Sequence, residues 1–272
     1  MRKFSSYGPI DNDDHYYTSR TDIIQKATDQ LIGNPKKGGH YITIWAPRQN
    51  GKTWIMQQVV RQIYGKGDFE TAIISLQAAT VAETDDEILE IFVDKLQIHF
   101  EREFHLDSFR WSQLPKLFTK KYFTKPVILI IDEFDALDEN LINKFANIFR
   151  DIYISRQNEN NRNSSEKYCL LHGLALIGVR SVLGIENVKG SPFNVQRSLH
   201  IPNLTYDEVK NIYRWYENDH NQKIEPNVID RIYYEFNGQP GLTCWFGEML
   251  TEEYNQNLEQ PITINDFENV FV

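Results

Sequence analysis

Cysteine is scarce in this chain of 272 residues: Cys169 and Cys244 are the two, and they are too few and too far apart for a disulfide framework or a zinc site. The seven His are scattered, with no paired spacing suited to a metal. No apolar run approaches the roughly 20 residues that cross a bilayer. Met1-Arg2-Lys3 is followed by Phe4-Ser5-Ser6-Tyr7 rather than by the apolar core of a secretion signal. Positive charge is also short, since 29 Lys and Arg against 38 Asp and Glu leave a formal net charge of −9. Binding nucleic acid over a broad surface depends on neutralising phosphates, so this balance speaks against it. The densest basic stretch, Lys116, Lys120, Lys121 and Lys125, lies in an amphipathic, aromatic-rich segment and reads as a solvated helix face. The expectation left standing is a cytoplasmic globular protein with no membrane partner. Its 41% hydrophobic and 25% charged content is ordinary for that class, and its length suits one large or two small domains.

What is present is concentrated in Ala46-Pro47-Arg48-Gln49-Asn50-Gly51-Lys52-Thr53. Tyr41-Ile42-Thr43-Ile44-Trp45 before it is β-branched and aromatic, a strand pattern. After it, Ile55, Met56, Val59, Val60 and Ile63 recur at helical spacing. Strand, loop and helix in this order form the context of a phosphate-binding loop. Successive backbone N–H groups line a concavity for an anion, and the helix N-terminus adds positive potential. Gly51 lets the backbone approach the phosphates, Lys52 reaches the β- and γ-phosphates, and Thr53 offers its hydroxyl to Mg²⁺. Pro47, Arg48, Gln49, Asn50 and Trp54 complete the expected nucleotide contacts. Ala46 stands where such loops usually carry their first Gly, a position that Ala tolerates if its φ is negative.

Such a loop needs an acidic strand as its complement. Val127-Ile128-Leu129-Ile130-Ile131 is apolar throughout, as in a strand buried on both faces of a parallel sheet. Asp132 and Glu133 follow at its carboxyl end, where open α/β sheets place ligands. Asp132 is expected in the Mg²⁺ shell and Glu133 as the group that orients or deprotonates an attacking water. The alternative is that Glu133 and Asp135 cap the next helix. Leu174–Val179 reads as a third strand ending in Arg180, which is expected to face the γ-phosphate; its alternative is a surface Arg paired with a nearby acid.

Along the chain, an N-terminal strap leads into a helix carrying Ile23, Ile24, Ala27, Leu31 and Ile32, stopped by Gly33-Asn34-Pro35. Thr71–Leu76 reads as a strand, and Thr84 with Glu87 as a capping box. Leu141–Arg156 reads as a helix, and 157–165 as a polar, mobile loop without a buried face. Ser198–Ile201 is the last expected strand. Strands alternating with helices imply a parallel sheet covered on both faces. Beyond residue 203 no strand pattern remains, and three or four helices follow, the last in progress at Phe271-Val272 as if a longer parent continued. The expected division is residues 1–202, a nucleotide-binding domain with its strap, and 203–272, a helical lid.

The chain resembles the AAA-like ATPase domains of the STAND and origin-recognition type. The resemblance rests on His15-Tyr16-Tyr17 with Arg20, the APRQNGKT and LIIDEFDAL segments, GVRS, Ser191-Pro192-Phe193-Asn194 and Gly238-Gln239-Pro240. It implies a P-loop NTPase of the ASCE/AAA-like kind: an α/β fold with a parallel five-stranded sheet between helices, followed by a small all-helical lid. It also implies ATP/ADP and Mg²⁺ as cofactors and slow ATP hydrolysis that drives a conformational or assembly switch in a larger signalling or defence-type protein. A homo-oligomer or protein partner accompanies such a switch. Tyr17 and Arg20 match the family segment beside the adenine, Arg180 the first sensor position, and Pro240 the lid proline near the base. No arginine finger has a fixed signature here; Arg150, Arg156 and Arg197 are candidates. Two other readings remain open, a non-hydrolysing nucleotide-bound scaffold and a DNA-loading or transposition regulator, the latter at odds with the net charge.

Overall fold

The computed structural model describes residues 2–8, 10–105, 110–178, 197–255 and 257–271. In chain order the described elements are α1 (Thr21–Ile32), β1 (Tyr41–Trp45), α2 (Lys52–Tyr64), β2 (Glu70–Ser75), α3 (Asp85–Phe100), α4 (Leu114–Leu117), β3 (Val127–Asp132), α5 (Glu139–Asn158), β4 (Leu171–Gly178), β5 (Arg197–His200), α6 (Tyr206–His220), α7 (Pro226–Phe236), α8 (Pro240–Glu248) and α9 (Ile264–Phe271). They divide into two compact units: Thr21–Ala46 with Ile55–His200, and Met1–Arg20 with Pro47–Trp54 and Ile201–Val272.

The first unit is built on a five-stranded sheet of order β2-β3-β4-β1-β5, parallel at every described pairing. Continuous apolar sequence explains the centre of this sheet, because every residue of β3 and β4 is buried. Phe92, Phe145 and Phe149 are fully enclosed in the core against β3; truncating one such ring to Ala costs about 3–5 kcal/mol. Thr84 caps α3 by accepting from the Glu87 N–H, while the Glu87 carboxylate reaches the Glu83 N–H. The strand expected from Leu174 starts earlier, at Leu171, and is described to Gly178; the last strand runs Arg197–His200.

The tract 157–165 differs from its expectation as an unburied loop. Gln157 and Asn158 complete α5, and Ser164 is 1% exposed. The Ser164 hydroxyl accepts from Arg156 Nη2 at 2.7 Å and lies 2.6 Å from His172 Nδ1. His172 Nε2 sits 2.7 Å from the Ile32 carbonyl, which can only accept, so the ring carries its proton there and Nδ1 accepts from Ser164. Arg156 Nη1 donates to the Cys169 carbonyl. A polar tract thus enters the core because its groups satisfy one another. Burial pushes the His172 pKa down to about 4, which keeps the ring neutral.

The second unit is helical. The Thr205 hydroxyl and Glu208 carboxylate form a reciprocal capping box at the start of α6. Pro226 opens α7, and the left-handed Asn237 and Gly238 end it. The strap belongs to this core: the Phe4 ring lies 5.0 Å from Tyr16 and 5.1 Å from Tyr213. In α8 the buried face is Gly241, Thr243, Cys244, Phe246 and Gly247, whereas the large apolar Leu242 and Trp245 are 42% and 38% exposed. Small residues decide that face, since a Cβ on Gly247 would stand 2.4 Å from the Phe4 ring.

Candidate functional site

β1 runs into the loop that follows it, and α2 begins at Lys52. Gln49 (φ 57°) and Gly51 (φ 76°) are both left-handed, with Asn50 between them. A Cβ at Gly51 would meet nothing within 4 Å, so it is the backbone angle and not space that calls for glycine there. The Arg48 carbonyl accepts from Gln239 Nε2 at 3.0 Å, and the Gln49 carbonyl accepts from the Gly241 N–H at 3.1 Å. In a trans peptide the N–H points opposite to the C=O. The Gln49 and Asn50 N–H groups are therefore turned away from α8, a pair of aligned donors just before the first turn of α2. Such a backbone nest at a helix N-terminus binds anions. Lys52 Nζ bends back to donate to the Pro47 carbonyl at 2.8 Å. Asn50 is 1% exposed; its Nδ2 donates to the Ile201 carbonyl at 2.9 Å, and its Oδ1 is buried without a hydrogen-bond partner.

The other residues expected near the nucleotide have definite packing roles. Trp54 Nε1 donates to Asn12 Oδ1 at 2.9 Å, and Tyr17 lies 5.4 Å from both the Trp54 and Trp215 rings. Arg20 is left-handed (φ 46°) and 8% exposed, donating to the Pro202 carbonyl at 2.7 Å and facing Glu208 at 3.4 Å. Burial lowers the Arg20 pKa, and Glu208 acts in the opposite direction. Pro240 is the first residue of α8, whose N-cap is Gln239: its Oε1 accepts from the Leu242 N–H at 2.5 Å. Gln239 and Gly241, which hold the loop carbonyls, went unrecognised in the sequence. The signal was the turn Gly238-Gln239-Pro240-Gly241, of which the sequence reading gives a nucleotide role to the proline only. A Cβ at Gly241 would stand 2.6 Å from Gln49 Cβ, so this approach requires glycine.

In the sheet unit, Asp132 is the last residue of β3 and 5% exposed. Its Oδ1 accepts from the Glu133 N–H at 2.9 Å, and Glu133 is itself left-handed (φ 54°). A non-glycine residue held there stores about 1–3 kcal/mol of strain, a feature concentrated at functional sites. Asp138 is the cap of α5, accepting from the Leu141 N–H at 2.9 Å. Glu133 stands at the N-cap position of the short turn Phe134–Ala136 without a side-chain cap bond there. Asp135 packs against the end of β4, where a Cβ on Gly178 would come 2.8 Å from its carboxyl carbon.

Val179, Arg180, Ser181 and Ser191–Asn194 lie outside the described residues. Among the candidate fingers, Arg156 is 3% exposed and bonded inside the core. Among the described residues no three His, Cys, Asp or Glu are grouped to hold a metal, and no helix is long and apolar enough to cross a membrane.

Comparison with known proteins bears on the fold. The fold matches the ORC1 protein of Aeropyrum pernix, solved in complex with DNA, at TM-score 0.62 and 11% identity over 93% of this chain and 64% of that one. It matches the Walker-type ATPase of Pyrococcus abyssi at TM-score 0.64 and 13% identity, covering 98% and 74%. Drosophila ORC bound to DNA matches at TM-score 0.63 and 12% identity, covering 94% and 61%. The chain therefore spans less than two thirds of the two origin-recognition chains, and at these identities the likeness is one of fold. No curated protein matches the sequence. A family model described as an AAA-like domain matches residues 5–263, nearly the whole chain, and the protein belongs to that family of P-loop ATPase-like domains.

Proposed function

We propose that this protein binds ATP and ADP with Mg²⁺, hydrolyses ATP slowly, and works as a nucleotide-controlled conformational or assembly switch of the STAND type within a larger signalling or defence-type system. The observation that carries the reading is the pair of backbone N–H groups at Gln49 and Asn50, turned away from α8 by the bonds of Gln239 and Gly241 and followed by Gly51, Lys52 and Thr53 at the start of α2. This is a docking place for phosphate oxygens, with Lys52 adding a charge-assisted bond worth about 1.5–3 kcal/mol.

Mg²⁺ is held in nucleotide sites by one or two protein oxygens together with phosphates and water, not by an all-protein cage. The donor types of Thr53 and Asp132 suit that role, and the lack of a three-ligand cluster among the described residues is compatible with it. When bound, the ion neutralises charge on the phosphates. Glu133 takes the proton of the water that attacks the γ-phosphorus, as the bond to the ADP oxygen breaks. Its strained backbone, together with Asp138 serving as the cap of α5, supports this role over a structural one.

Gln239 and Gly241 suggest how nucleotide state reaches the helices: phosphates that reshape the loop alter two bonds made by the first turn of α8. Carrying such a switch from one side to the other requires about 10⁴-fold preference between its states. The test is titration calorimetry with ATP and ADP, followed by light scattering of each complex with Mg²⁺. A mass increase with ATP alone supports the switch. Binding without any mass change or turnover leaves a nucleotide holder, and absence of binding overturns the proposal.

A further inference from the structure

The lysines read from sequence as a solvated helix face are arranged otherwise. α4 ends at Leu117, and the chain continues irregularly to β3. Lys116, Lys120 and Lys121 line a cavity of about 430 Å³ together with Arg162, Glu166 and Lys167 from the segment preceding β4. An antiparallel bridge between Thr119 and Cys169 and a 2.5 Å bond from the Leu170 N–H to the Phe118 carbonyl clamp the two walls together. The cavity size is typical of small-molecule sites.

Five cations thus face one carboxylate in a protein whose net charge is −9. Glu166 accepts from the Asn163 N–H at 3.0 Å, and Arg162 meets Glu159 at 2.8 Å. Lys116, Lys120, Lys121 and Lys167 form no ion pair with any described residue. Lys167 is the most telling, at 2% exposure, with its Nζ donating at 2.7 Å to the Arg156 carbonyl. That is one described bond for a group with three donors. Burial and then the Arg156 charge lower its pKa, with Glu159 opposing them and Lys37 adding to them. Mutual repulsion of this kind is relieved by an anion. Tyr122 and Tyr168 add aromatic surface to the same walls.

We propose that this cavity is a second ligand site, for a small, multiply phosphorylated molecule, separate from the phosphate loop. Its walls precede the amino ends of β3 and β4, whereas Asp132 closes the carboxyl end of β3 and Glu133 follows it. Six residues of strand, about 20 Å, lie between the two edges. The cavity selects for compact polyanions rather than extended ones because its cations converge from two walls.

The test uses tripolyphosphate as probe in titration calorimetry on the whole protein, on Lys52→Ala, and on the triple variant Lys116→Gln/Lys120→Gln/Lys121→Gln. The three lysines are exposed, and an unchanged melting temperature confirms that the triple variant is folded. The expected result is saturable binding that survives Lys52→Ala and weakens tenfold or more in the triple variant. Binding lost in Lys52→Ala but kept in the triple variant assigns the probe to the phosphate loop and overturns the proposal, as does the absence of saturable binding in the wild type. A single-stranded 12-mer oligonucleotide that binds the lysines more tightly than the probe would replace the small ligand with nucleic acid.

Discussion

The two edges of one sheet treat charge in opposite ways. At the carboxyl edge, β3 ends in Asp132 and the left-handed Glu133, with a separate residue, Asp138, assigned to cap the next helix. At the amino edge, Arg156, Ser164 and His172 close a buried chain that ends on the Ile32 carbonyl, with Lys167 attached through the Arg156 carbonyl. Burial displaces the proton affinities of Arg156, Lys167, Cys169 and His172. A shifted pKa is often taken to mark chemistry. Here the His172 shift belongs to a closed packing network, while Glu133 at the carboxyl edge is held left-handed.

The sharpest way to break this comparison is Glu133→Gln. Loss of a general base costs about 10²- to 10⁴-fold in turnover. The expected outcome is ATP binding unchanged by calorimetry and phosphate release reduced by that factor, with the melting temperature retained. Turnover that persists would move the water-activating role to Asp135.

The amino edge answers to pH. The unfolded His172 titrates near 6.5 and the folded one near 4, so between these values the unfolded chain binds the extra proton. Its contribution, roughly 3 kcal/mol, is fully present above pH 6.5 and is lost as pH falls toward 4. Urea midpoints from pH 7.5 to 4 are expected to fall more steeply for the wild type than for His172→Gln. Parallel curves would mean that the ring is not held neutral by burial. Lys52→Ala then tests the loop: a loss of about 1.5–3 kcal/mol, roughly 10- to 100-fold in affinity, is expected for ATP. Unchanged affinity would remove the loop from the site.

Periodicity and composition reach some of these residues and not others. The run Val127–Ile131 is legible because a strand buried on both faces is apolar throughout, and Tyr41–Trp45 because it is β-branched and aromatic. Thr84 and Glu87 are legible because a capping pair is local in sequence. Ser164 and Lys167 are not, since their burial depends on Arg156 and His172, partners that hydropathy cannot supply. Leu242 and Trp245 mislead for a related reason: Gly247 and Phe4, far apart in sequence, decide which face of α8 turns inward. In the site, the glycine and lysine of the loop announce themselves, but Gln239 and Gly241 act through backbone carbonyls at Arg48 and Gln49, which no side-chain pattern encodes.

The smallest effect is the most discriminating. Asp138 and Glu133 lie five residues apart, and both are carboxylates close to the start of α5. The geometry assigns the cap to Asp138, whose Oδ1 accepts from Leu141, and gives Glu133 no cap bond. Asp138→Ala is therefore expected to cost about 1 kcal/mol of stability, a drop of roughly 2–4 °C in Tm for a chain of this size, with phosphate release per folded molecule unchanged. Glu133→Gln should show the reverse pattern. If both variants lose stability and neither loses turnover, the acidic run is a helix start and nothing more. If Asp138→Ala loses turnover at full stability, the cap holds Glu133 in its left-handed turn, and the strain at the end of β3 depends on α5 as well as on the strand.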